Sequence, residues 1–223
     1  MASGTLTLRP SADISIGHIL YPAGSTAAYL LINEETSDNS STYIRSDKGD
    51  SSVATSKFAL SISGQLPAKK FTVSNVVLHF DPYSSSSVEC TAYNEFNLEI
   101  NGISSGRQSS DERSKESTLT FTDVIPVIND FLAVNGTLPP ITLTVISHGG
   151  HQITETKVSD ASMGITQAYL TVSYDEITDI GIHHKVNGSW VAATAAYRKV
   201  NGAWVEISAD ECKAILRNSV CVN

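Results

Sequence analysis

Two Asn-Gly dipeptides set fourteen residues apart constrain this chain more than any other feature in it. Each sits in the same phrase: Lys185-Val186-Asn187-Gly188-Ser189-Trp190-Val191, then Lys199-Val200-Asn201-Gly202-Ala203-Trp204-Val205. Asn-Gly is the strongest short-range hairpin signal, because a two-residue type I′ turn needs positive φ at both central residues. Strand-forming residues flank each turn. The phrase therefore predicts a meander of two hairpins, joined through Ala192 to Tyr197. Few large apolar residues accompany it, and isolated hairpins are marginal, so the Trp face needs a covering surface. Trp190 and Trp204 read first as core residues of this small module. The sharper reading makes them exposed platforms on which sugars stack. Two copies are too few for a solenoid or propeller.

The rest of the chain reads as one large β domain over residues 1–176, with the repeat module over 177–223. At 223 residues there is ample length for a core. Thr5 to Arg9 alternates and is closed by Pro10. Ala28 to Asn33 is an apolar run of strand length, and Thr42 to Arg45, Val53 to Ser63 and Phe71 to Phe80 follow as strands. Asp81 to Ser87 reads as a Ser-rich loop. The next strand, Tyr93 to Ile100, ends at Asn101-Gly102. Gly106 to Ser117 is the most polar stretch and reads as a long exposed loop. A helix is predicted from a Thr122 or Asp123 N-cap to Asn135-Gly136, with Pro126 in its first turn. Ile141 to Ser147 and Met163 to Tyr174 complete the domain. After the repeat, Ser208 to Glu211 forms a capping box before a short helix over 212–218. Without βαβ alternation, the expected class is all-β: a jelly-roll-like antiparallel sandwich with one short helix, then the hairpin module and the terminal helix.

Charge narrows the function classes. The formal net charge is −8, and no basic cluster is longer than Lys69-Lys70. Nucleic-acid binding is disfavoured, because neutralising phosphates takes a concentrated positive face. No apolar run reaches membrane-spanning length, so no membrane insertion is expected. The opening residues, Met1 to Pro10, do not read as a signal peptide. Three cysteines, Cys90, Cys212 and Cys221, make no disulfide framework; the odd count suits a reducing compartment and leaves a Cys212–Cys221 link open.

Candidate chemistry is sparse. His148-Gly149-Gly150-His151 is the one clustered-imidazole motif of the main domain; it reads as a glycine hairpin loop with exposed imidazoles, and alternatively as a metal pair. His183 and His184 are adjacent, so in a strand they point to opposite faces. Glu34, Glu35, Asp38, Asp47 and Asp50 make an acidic stretch of the kind that holds structural calcium, without EF-hand spacing. No cofactor is expected, with a structural calcium as the alternative beside the His148–His151 metal reading. There is no Gly-x-Ser-x-Gly elbow, no isolated triad and no phosphate-binding loop.

A resemblance adds direction. The tandem Lys-Val-Asn-Gly-x-Trp-Val motif is similar to those at the C-termini of tailed-phage and prophage structural proteins. Leu6 to Asp13, Ala28 to Glu34 and Asp38 to Ser46 resemble the jelly-roll domain of phage minor structural, tail-associated or fibre proteins. Together these cover about the first fifty and the last forty residues. The resemblance implies a non-enzymatic virion protein, made in the host cytoplasm, that contacts other virion proteins. Sister chains are an economical cover for the Trp faces, which predicts a homo-oligomer, a trimer by analogy with fibres. The contact residues would be Trp190, Trp204, Asn187, Gly188, Asn201, Gly202 and Tyr197. The alternative is a carbohydrate-binding sandwich using Tyr21, Tyr29, Tyr43, Tyr83, Tyr93, Trp190 and Trp204 against a host-surface glycan. A glycan hydrolase ranks third, because its paired carboxylates meet only in the fold.

Overall fold

The computed structural model describes residues 3–17, 19–21, 27–32, 43–46, 53–62, 65–67, 70–84, 92–112, 116–154, 157–177, 183–186, 189–192 and 196–207. The chain divides into two compact units, residues 2–175 and residues 176–223, with Met1 grouped with the second. In chain order the first unit holds β1 (Ser3–Gly17), β2 (Ile19–Tyr21), α1 (Ala28–Leu31), β3 (Tyr43–Arg45), β4 (Val53–Ile62), β5 (Phe71–Ser84), β6 (Tyr93–Ile100) and β7 (Ile103–Ser110). Then follow β8 (Ser117–Thr120), α2 (Ile125–Asn135), β9 (Ile141–His148), β10 (Gly150–Thr154), β11 (Lys157–Ala161) and β12 (Met163–Glu176), which runs to the boundary. The fold is all-β and mostly antiparallel.

One long path of hydrogen-bonded strands runs β12-β1-β4-β9-β6-β7, with β5 pairing both β12 and β8, and β2-β3 added on β12. The path folds over itself. Phe80 of β5 and Phe96 of β6 lie far apart along it, yet their ring centroids are 4.4 Å apart. The result is a sandwich of two layers sharing one core. Strand alternation fills it: β6 buries Asn94, Phe96, Leu98 and Ile100 and turns Tyr93, Glu95, Asn97 and Glu99 outward. Leu8, Phe58, Leu78, Leu143, Leu170 and Val172 join from the other strands. The buried Asn94 is engaged at both ends of its carboxamide, donating to the Gly164 carbonyl at 3.0 Å and accepting from Ser147 Oγ at 2.8 Å. At the far end of the path the two free margins approach, where Gln108 of β7 donates to the Thr120 carbonyl of β8 at 2.9 Å. The sandwich is near-closed.

β1 links the layers. Residues 3–8 pair with β12 and residues 8–17 pair with β4. The expected stop at Pro10 does not occur. The register shifts between Pro10 and Ala12 and again between Asp13 and Ser15, so the strand accommodates proline at a bulge and bends there.

Three further expectations are corrected. Ala28 to Leu31 is a helical turn, not a strand: the Asp13 carboxylate accepts from the amides of Ala28 (2.9 Å) and Tyr29 (2.8 Å), and Ala28 and Ile32 are buried. The main unit thus has two helices among the described residues. The supposed polar loop is strand β7 as far as Ser110, joined to β6 by a two-residue turn with Asn101 at φ 49° and Gly102 at φ 82°. A second strand residue, Gly106, takes φ 78° beside the register shift opposite Asn97 and Glu99. β5 continues through Asp81 to Ser84, where a loop was expected.

Helix α2 begins at Ile125 rather than beside a Thr122 or Asp123 cap. Pro126 lacks an amide hydrogen, so the first turn has fewer donors to satisfy. Its end is as expected: Gly136 adopts φ 68° and donates to the Leu132 carbonyl at 2.8 Å. Ile128 and Leu132 anchor it in the core. The predicted terminal helix, the acidic positions Glu34, Glu35, Asp38, Asp47 and Asp50, and all three cysteines lie outside the described residues.

Candidate contact site

The second unit holds β13 (His183–Val186), β14 (Ser189–Ala192), β15 (Ala196–Val200) and β16 (Ala203–Ile207). They form two separate two-stranded sheets, β13-β14 and β15-β16, instead of one continuous meander. In the second hairpin Asn201 has φ 49° and Gly202 has φ 88°, the positive pair that a type I′ turn requires. Nothing crowds Gly202, so its role is conformational. The first hairpin has the same register: Lys185 opposes Trp190 as Lys199 opposes Trp204. Asn187 and Gly188 lie outside the described residues, as does the side chain of Trp190.

Directly opposed residues share a face, and faces alternate along each strand. Tyr197 opposes Glu206 and Lys199 opposes Trp204, so these four form one face of the second hairpin. Arg198, Val200, Ala203 and Val205 lie on the other, with the buried Ile207. The tryptophan face is open. Trp204 is 70% exposed and Tyr197 is 56% exposed. For Trp204 the small-core reading is therefore overturned: the side chain stands in the open, on a hairpin whose other face is buried only at Ile207. Lys199 and Glu206 are exposed beside it and join no ion pair among the described residues.

Two side-chain stacks occupy the outer surface of the sandwich, and neither was anticipated. In one, the imidazole of His79 stacks on Tyr169 (4.7 Å between centroids) while the Arg9 guanidinium lies 4.9 Å from the centre of the Tyr169 ring. The Tyr169 hydroxyl donates to Glu116 at 3.2 Å, and Glu116 is 3.6 Å from His79 Nδ1. Thr171 Oγ1 is 3.0 Å from His79 Nε2. Burial, and then the Glu116 carboxylate, push the Tyr169 phenol above its ordinary value. That direction opposes a phenolate nucleophile or base. In the other stack, His148 lies over Tyr93 (4.2 Å) with Nε2 2.9 Å from Glu95 Oε2, and Arg107 is 3.5 Å from the same oxygen.

The second stack corrects the reading of His148. It is the last residue of β9, with one nitrogen committed to Glu95, and not an exposed loop imidazole. His151 lies in β10, opposite Asp160 of β11. Among the described residues, no three His, Cys, Asp or Glu side chains converge as a metal site. No helix among them is long and apolar enough to cross a membrane.

Each stack draws together residues from three strands, so no spacing in the sequence announces them. The only available signal was outward alternation at Tyr93 and Glu95 of β6. The sugar-platform candidates also separate. Tyr93 gives a face to His148, and Tyr29 packs against the core. The side chains of Tyr21 and Tyr43 lie outside the described residues. Neither a known protein family nor a curated protein matches this chain.

Proposed function

We propose that this chain is a non-enzymatic structural protein of a tailed-phage virion. The sandwich is its body, and the tandem hairpin unit makes contacts with sister chains and with other virion proteins. One observation carries the reading: Trp204 and Tyr197 stand exposed on the same face of a turn-locked hairpin. An open aromatic pair on so small a unit suits contact with another molecule, since aromatic residues dominate interface energetics. The phage-like phrases at both ends of the sequence support the virion setting. The test is the solution mass of the full chain beside a version ending at Glu176. An oligomeric full chain with a monomeric, folded truncation is expected. Two folded monomers at all concentrations would sink the assembly role.

A second reading is favoured by the same face. An exposed Trp beside an exposed Tyr can stack on the flat side of a sugar ring, with Lys199 and Glu206 supplying directional hydrogen bonds. A glycan array probed with the full chain and with Trp204→Ala separates it from assembly. Binding lost on substitution supports glycan contact, and an empty array removes it.

A further inference from the structure

We propose that the partner of the Trp204 face is a second copy of the same face, packed across a two-fold axis with its strands crossed at about a right angle. The proposal rests on the contact-module reading and specifies its geometry. The face is a square of four side chains. Lys199 and Trp204 form the pair nearer the turn, and Tyr197 and Glu206 form the next. Lys199 and Glu206 therefore occupy one diagonal, and Tyr197 and Trp204 the other.

Consider two copies laid face to face. A two-fold axis along the strands sets Lys199 on the partner's Trp204 and Glu206 on the partner's Tyr197. An axis across the strands sets Lys199 on the partner's Tyr197 and Glu206 on the partner's Trp204. Both set two charges from each copy on aromatic rings without counter-charges, which is costly. The axis along the Lys199–Glu206 diagonal sets Lys199 on the partner's Lys199, which repels. The axis along the Tyr197–Trp204 diagonal sets Lys199 on the partner's Glu206 twice over. It also stacks Trp204 on the partner's Trp204, and Tyr197 on the partner's Tyr197. Charge complementarity selects this last arrangement, and its crossed strands match one of the two preferred ways for sheets to pack.

Size sets the strength. A Trp and a Tyr bring about 150–250 Å² each, whereas stable interfaces begin at roughly 1,200 Å² in total. One face alone therefore makes a weak, concentration-dependent pair, suited to chains held close together in a larger assembly.

The experiment is charge reversal read by sedimentation equilibrium over a wide concentration range, with circular dichroism checking the fold. Lys199→Glu and Glu206→Lys are each expected to weaken self-association on the order of tenfold or more, by placing like charges together twice. An equimolar mixture of the two variants is expected to recover association, because each face then meets its opposite. The doubly reversed chain is expected to recover it too. Variants that associate like the parent would overturn this pairing and leave assembly through another surface. Loss without recovery in the mixture would also overturn it, since the charges would then act within their own hairpin. A parent chain monomeric throughout would overturn both the pairing and the assembly role.

Discussion

Asn129 of α2 takes the place of a missing strand. β8 pairs β5 only over Val77 to Phe80, and the Phe121 amide extends that pairing to the Val76 carbonyl at 2.9 Å. Beyond it, the Asn129 side chain accepts from the Val73 amide at 2.7 Å and donates to the Val73 carbonyl at 3.0 Å. One carboxamide thus satisfies both backbone groups of a buried residue, where a strand would otherwise be required. Asn129→Ala leaves both unpaired and is expected to cost about 2–4 kcal/mol. Asn129→Asp keeps the acceptor, loses the donor and is expected to fall between. Urea midpoints of the two variants, beside exposed Asp130→Ala as a control near zero, give the check. Tyr169 makes a prediction of opposite character. Its folded pKa is raised above the ordinary 10.0, so the unfolded chain loses that proton first as pH rises. Stability is unaffected by this group below pH 10 and declines as pH climbs from there through the folded value. Tyr169→Phe is expected to remove that part of the alkaline decline, and denaturation midpoints of both chains across the alkaline range would reveal it. Equal slopes would exclude the effect.

At the scale of elements, legibility followed the locality of the cause. Asn-Gly turns were readable because the residue pair itself encodes the backbone; Asn101-Gly102 and Asn201-Gly202 both take positive φ. The cost of violating that code is local. Gly202→Val forces a β-branched residue to φ 88°, an expected loss of about 1–2 kcal/mol or more in the hairpin alone. Amide exchange should accelerate across Ala196–Ile207 while the main melting transition stays in place. A lower main transition would show that the hairpin supports the sandwich. Elements set from a distance were misread. Ala28–Leu31 is an apolar run whose period cannot separate strand from helix, and the carboxylate that caps it comes from Asp13 on another strand. β7 carries Ser, Gly, Arg and Gln because a margin strand is kept polar, which makes it resemble a loop. Pro10 marks a bulge and not an end, a distinction that only the partner strand β4 supplies. The candidate site divided likewise: the hairpin and its tryptophans were legible, but exposure was not, because nothing local states which surface covers a face.

At the scale of the molecule, the main core cluster among the described residues lies in the first unit. Every residue of the main cluster falls between Leu6 and Val172, and both layers, the β1 crossover and the Gln108 bridge lie within residues 3–176. The second hairpin of the other unit offers Trp204 and Tyr197 to solvent, and hairpins with an uncovered face are marginal by themselves. Two stabilities are therefore expected in one chain. Under native conditions, amides of β6, β9 and β12 should exchange only through global unfolding, while those of β15 and β16 should exchange through a much smaller local opening. A version ending at Glu176 should melt within a few degrees of the full chain, because it retains every strand that frames the core. Hydrogen exchange resolved by residue, together with the two melting curves, decides the matter. If β15 and β16 are as protected as β9 in the dilute monomer, the hairpin is held by its own chain, and the open face cannot be reserved for a partner. If protection rises there only as concentration increases, the face is covered by association, and the strands of the sandwich should show no matching change.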